Sequence, residues 1–134
     1  MGTLPGDRTV AKANGRMVIV IDDDAMMRQA LESLLDANGF EAQLFDSAEA
    51  AMRSTALENA SCIVTDIVLP GMSGFQLCDE LSRNGCRLPI VFITAHDEPA
   101  VHEAATRAGA TALFIKPFSG RALASAVKGA VHAR

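Results

Sequence analysis

Five polar residues in this 134-residue chain stand where short apolar runs end. Asp22 and Asp23 follow MVIVI, Asp66 follows CIVT, Thr94 follows PIVFI and Lys116 follows ALFI. Carboxylates brought together repel one another and take up protons unless a cation joins them. An all-oxygen site with few protein ligands suits Mg²⁺, which keeps several waters and accepts phosphate oxygens. The Lys116 ammonium is a mobile point charge for an anion, and the Thr94 hydroxyl can donate to a phosphoryl oxygen. A carboxylate with a metal, an ammonium and a hydroxyl around it is equipped to receive a phosphoryl group, by positioning and charge neutralisation. Taken singly these residues mean little. An Asp at a strand end more often forms a turn, Lys116 alone is an ordinary surface lysine, and Asp24 reads as a helix N-cap.

The elements that must bring them together alternate along the chain. Residues 17–21 form a β-branched-rich strand, and residues 25–38 a helix with Met27, Leu31, Leu34 and Leu35 on one face, stopped by Gly39. Residues 41–45 are a weaker strand, and Asp46 with Glu49 resembles a capping box opening a helix that runs to about residue 58. Residues 62–65 read as a strand buried on both faces. Pro70-Gly71 and Ser73-Gly74 mark a tight loop before a helix over 75–84, with Leu77, Cys78 and Leu81 inward. A strand over 89–93, a helix over 99–108, a strand over 112–115 and a helix from 119 or 120 to about 132 complete the chain, the last with Leu123, Val127 and Val131 inward.

Five strands alternating with five helices through short connections predict an α/β fold, a five-stranded parallel sheet with helices on both faces. In such a sheet all strand ends of one sense lie along one edge. If the order is 2-1-3-4-5, the first and third strands are neighbours at the topological switch point, and Asp22, Asp23 and Asp66 converge there.

Composition narrows the class. Apolar residues make up 49% of the chain and aromatics 4%, all Phe, so the core is aliphatic. Cys62, Cys78 and Cys86 are odd in number and lack zinc-ligand spacing, which reads as reduced, buried thiols and a cytoplasmic location. No apolar run approaches the roughly 18 residues of a membrane span, and the first residues have no signal-peptide core. Residues 1–103 hold 16 acids and 7 bases, whereas Arg107, Lys116, Arg121, Lys128 and Arg134 are unopposed in residues 104–134. That asymmetry is a solvated face or a basic surface for an acidic partner; without a recognition motif, nucleic acid is the poorer match. His96, His102 and His132 are unclustered and read as solvated, and Met26-Met27 as core and rim.

Four segments, VIVIDDD, TDIVLPGMSG, FITAHDE and FIKPF, stand in the order and spacing of one family. Over about residues 17–132 the chain resembles the receiver domain of two-component response regulators, leaving residues 1–16 as a flexible tail and 17–134 as the domain. The resemblance implies the doubly wound, flavodoxin-like (βα)5 fold with order 2-1-3-4-5. It implies Asp66 as phosphoacceptor and Asp23 as direct Mg²⁺ ligand, with Asp22 acting through water or assisting. The main-chain carbonyl of Val68 would complete the metal shell. Thr94 would be the switch hydroxyl and Lys116 the phosphoryl-binding lysine, followed by a cis peptide to Pro117. Val68 and His96 would border the path of an attacking water. The domain would catalyse only its own Mg²⁺-dependent phosphorylation and dephosphorylation. Its partners would be a sensor histidine kinase or histidine phosphotransfer protein, and a downstream protein met through the last two helices and the fifth strand. One position departs from the family: where an aromatic usually stands, three residues before the lysine, this chain has Leu113, with Phe114 one place late.

Other functions fit less well. A flavodoxin-like redox protein would need an uncharged phosphate loop after the first strand, where this chain has an acidic trio. An aspartyl-phosphate hydrolase would want a second acid two residues after Asp66, where Val68 stands. An interaction module with a dead site would not need the full residue set. Within the signalling reading, a stand-alone regulator, a phosphoryl reservoir and the receiver part of a longer regulator all remain open.

Overall fold

Strand and helix alternate as expected in the computed structural model, which describes residues 16–132. The expected tail, except Arg16, and Arg134 lie outside the described residues. The order is β1 (Met17–Ile21), α1 (Ala25–Ala37), β2 (Glu41–Phe45), α2 (Ala48–Arg53), β3 (Cys62–Asp66), α3 (Gly74–Arg83), β4 (Ile90–Thr94), α4 (Pro99–Arg107), β5 (Ala112–Ile115) and α5 (Gly120–His132). All five strands are parallel, in the order β2-β1-β3-β4-β5. This is the flavodoxin-like, doubly wound arrangement.

Strand alternation splits the core into two layers. Val18, Val20, Cys62, Val64, Val91 and Ile93 point to one face, where Leu31 and Leu35 of α1 and Leu123 and Val127 of α5 cover them. Ile19, Ile21, Ile63 and Phe92 point to the other, beneath Ala48 and Ala51 of α2, Leu77 and Leu81 of α3 and Ala105 of α4. Burying each large aliphatic side chain contributes roughly 1.5–3 kcal/mol. β1, β3 and β4 are therefore apolar on both faces and buried at every position. The edge strands β2 and β5 have no fully buried residue.

The second helix corrects the sequence reading. Its N-cap is Ser47, whose hydroxyl accepts the Ala50 amide at 3.1 Å, not Asp46, and Glu49 does not close a capping box. The helix ends at Arg53 rather than near residue 58, and a separate 3-10 turn follows at Ala56–Asn59. Ser54 explains the break: its hydroxyl donates to the Ala51 carbonyl at 2.7 Å and accepts the Ala56 amide at 3.1 Å. A serine bonding its own backbone in this way competes with helix continuation. The reciprocal capping box lies at α3 instead, where Ser73 and Gln76 exchange hydrogen bonds. Asp24 caps α1 as expected, accepting the Met26 amide at 3.0 Å.

The cysteines are thiols rather than disulfides. Cys62 is buried, but Cys78 and Cys86 are only half-buried, because each sits at the margin of the α2-α3-α4 layer. The Cys78 thiol donates to the carbonyl of Ala108 at 3.4 Å, linking α3 to the C-cap of α4. Among the described residues, no helix is long and apolar enough to cross a membrane.

Candidate functional site

Parallel pairing puts the ends of β1, β3, β4 and β5 on one edge of the sheet. β3 runs one residue further than the sequence suggests, so Asp66 is its last residue, in register with Ile93. Asp22 follows β1 directly and is tied to the sheet through its amide, which donates to the Phe45 carbonyl at 3.1 Å. Thr94 ends β4 in register with Ile115, and Lys116 follows at once, its amide on the Thr94 carbonyl at 2.7 Å. Those neighbours fix where each polar side chain can reach.

The Lys116 ammonium donates to Asp66 Oδ2 at 2.8 Å and to Asp22 Oδ2 at 3.1 Å. Each acid gives its second oxygen to an amide two residues on: Asp66 Oδ1 accepts from Val68 at 3.0 Å, and Asp22 Oδ1 from Asp24 at 2.9 Å. Asp22 is wholly buried and the Asp66 side chain only 10% exposed, whereas Asp23 faces solvent. Burial pushes Asp22 above the ordinary carboxylate range, against the lowering pull of the Asp24 amide and Lys116. Burial alone would lower Lys116, but its bonds to Asp66 and Asp22 outweigh it and raise its pKa above that of a free lysine. The ammonium therefore stays charged between the two acids.

Asp22, Asp23 and Asp66 can each offer an oxygen within 4.8 Å of the others. This all-oxygen donor set, with no thiol or imidazole, fits a hard divalent cation such as Mg²⁺. Thr94 is fully buried, and its hydroxyl accepts the His96 amide at 3.1 Å. His96 and His102 stay outside the acidic cluster. Each is about half exposed beside an acid, His96 near Glu98 at 3.6 Å and His102 near Asp97 at 2.7 Å. His132 is exposed on α5. At the mouth, Val68 is 57% exposed and Met26 80%, while Met27 packs on the core.

The peptide before Pro117 is cis. Leu113 pairs with Phe92 in unbroken register and packs in the α2-α3-α4 layer. Phe114 lies on the opposite face, in the α1-α5 layer, with its ring centroid 6.0 Å from that of Phe118. No bulge in β5 brings Phe114 round to the Leu113 position.

Two further contacts shape this edge of the sheet. The Arg28 guanidinium donates to the Asp22 carbonyl at 2.7 Å, fastening α1 to the end of β1. Gly74 lies so close to the chain after β3 that a Cβ there would sit 2.7 Å from the Asp66 carbonyl oxygen. The only sequence signal was the SG pair at the start of α3. Nothing in the sequence singles out Arg28.

The response regulator receiver domain model matches residues 18–128. The chain belongs to that family. Nodulation protein W of Bradyrhizobium diazoefficiens is 38% identical to this receiver domain over 116 residues, 87% of this chain and 51% of that protein. The transcriptional regulatory protein FixJ of the same organism is 33% identical over 115 residues, 86% of this chain and 56% of its own. The receiver domain thus spans about half the length of the curated relatives it matches. Among solved structures, the response regulator StyR is 37% identical with a TM-score of 0.81, over 88% of this chain and 60% of its own. FixJ-N is 30% identical with a TM-score of 0.79, over 89% of this chain and 95% of its own.

Proposed function

We propose that this receiver domain is a phosphorylation-dependent switch of a two-component phosphorelay, with Asp66 accepting a phosphoryl group from a histidine kinase or histidine phosphotransfer protein. The observation that carries the reading is Lys116 bridging Asp66 and Asp22 at the edge where Asp23 joins them. A carboxylate oxygen of Asp66 attacks phosphorus as the bond to the donor imidazole nitrogen breaks, and the imidazole leaves with that electron pair. Asp23, Asp66 and the Val68 carbonyl would hold Mg²⁺, with Asp22 acting through water or assisting. Bound there, the ion would neutralise charge on the phosphoryl oxygens. Lys116 turns part of its charge toward the new phosphoryl group, and the Thr94 hydroxyl, which accepts the His96 amide at rest, donates its hydrogen to a phosphoryl oxygen.

The output is protein–protein contact through α4, β5 and α5. Arg121 and Lys128 are exposed on α5, which carries no acid, and this supports an acidic partner. The reading implies a cytoplasmic location, supported by the three cysteines standing as thiols. Incubation with Mg²⁺ and acetyl phosphate should add one acid-stable, base-labile phosphoryl group, read by intact mass. Labelling that survives chelation or Asp66→Asn refutes the assignment.

A further inference from the structure

The loop between β3 and α3 begins at the reactive acid and ends at a helix cap, and both ends are fastened by their own neighbours. Ile67 donates its amide to the Ile93 carbonyl at 3.0 Å, and Val68 donates to Asp66. Ser73 and Gln76 close the far end, and the Gly74 amide returns to the Ile67 carbonyl at 2.8 Å. The middle, Pro70 to Met72, has one side-chain anchor from another segment among the described residues. Oε2 of Glu49, in the first turn of α2, accepts the Met72 amide at 2.8 Å.

Gly71 is shaped to this anchor. It adopts φ +76°, and a Cβ there would collide with the Glu49 carboxylate. Glycine thus supplies both the backbone angle and the space the carboxylate occupies. The bond to Met72 holds the Glu49 carboxyl below the usual carboxylate range, so it is ionised at neutral pH. A charged acceptor reaching a loop 23 residues away in sequence is more than helix capping requires.

We infer that Glu49 is a positioning residue for the phosphorylation site, steadying the loop so that the Val68 carbonyl stays aimed at a cation beside Asp66. The inference rests on the metal reading given above. Outer partners of metal ligands act by fixing the donor, and Glu49 would act one step further out, through the loop that carries Val68.

The test is a Mg²⁺ titration of the ¹⁵N-labelled protein, following the amides of residues 66–73, with hydrogen exchange at Met72 measured in parallel. Glu49→Ala should speed Met72 exchange and raise the Mg²⁺ Kd severalfold, at most the roughly tenfold seen when a partner bonded directly to a ligand is lost. Glu49→Gln keeps an acceptor oxygen at the same reach and should restore most of the affinity. Gly71→Ala, whose Cβ would collide with the Glu49 carboxylate and strain the backbone at φ +76°, should weaken binding in the same direction. Faster Met72 exchange in Glu49→Ala with an unchanged Kd overturns this inference and leaves the site reading standing. An unmodified protein that binds no Mg²⁺ at residues 66–73 overturns both.

Discussion

The buried acids and hydroxyl of the site and the ammonium that bridges the acids stand on different ground. Asp66 and Thr94 end β3 and β4 and Asp22 follows β1, strands buried at every position and paired on both sides. Lys116 follows β5, half-buried throughout and paired on one side only. The centre of the sheet cannot shift a side chain without disturbing both core layers, so it suits groups whose geometry must not vary. The edge strand can move at lower cost, and it carries the mobile charge and the departure at Leu113. On the proposed function, chemistry would sit where the sheet is stiff and read-out where it is loose.

The largest expected effect tests the stiff side. Asp66→Asn should abolish labelling by acetyl phosphate with little change in the fold, because the amide fills the same space. Partial labelling would mean that another group accepts the phosphoryl.

Next comes the cation. A ligand that binds only the native state stabilises it by about 2.7 kcal/mol at a hundredfold excess over Kd. Thermal melts with and without Mg²⁺ should show that shift in the unmodified protein, lose it in Asp23→Asn and largely keep it in Asp24→Asn, whose amide can still cap α1. Equal loss from both would move the metal away from Asp23.

The edge side is tested by pH. A folded-state pKa raised above the ordinary lysine value of 10.5 contributes stability that is complete below that pH and lost as pH rises through the folded value. Stability should therefore fall through this alkaline window in the unmodified protein, and Lys116→Ala should lack that component of the fall. Identical alkaline profiles would show that the bridge to Asp22 and Asp66 adds nothing to the resting state.

A smaller effect separates the two sides directly. Thr94→Ala should suppress the amide shifts that beryllofluoride produces across residues 95–108, whereas Leu113→Ala should leave most of them. Silencing by Leu113→Ala to the same degree would make the edge residue the coupling element. The smallest effect concerns lifetime. Val68 cannot hydrogen-bond an attacking water, so the phosphoryl state should last minutes or longer, and Val68→Asn should shorten it severalfold. A half-life of seconds in the unmodified protein would contradict this.

Most of the fold is legible in the sequence because strand burial writes itself as unbroken apolar runs, as in MVIVI and IVFIT. Asp22, Asp23, Asp66 and Thr94 are legible for the same reason, standing where a buried strand must end, and Lys116 follows the shorter apolar run of the edge strand β5. Short-range competition was harder to read. Ser54 ends α2 through bonds to its own backbone, a choice that composition leaves open. The Glu49 contact was missed because its partner lies 23 residues away, and an acid near a helix start reads equally well as a cap. Arg28 leaves no sequence signal, and the Ser73-Gly74 pair marks a turn without showing its close approach to Asp66, because both roles depend on two segments meeting in space.

The bond from Cys78 to Ala108 gives the protein a built-in gauge. The chain has no Trp or Tyr, so it lacks the usual intrinsic fluorophores for following a conformational change. Burial, with Asp79 nearby, keeps the Cys78 thiol less acidic than a free one, and its hydrogen closes onto the cap of α4. Alkylation there should be slow while the two helices stay together. In a Cys86→Ser background, a fast alkylating reagent would turn any separation of α4 from α3 into a rate, clocking the movement without an added probe.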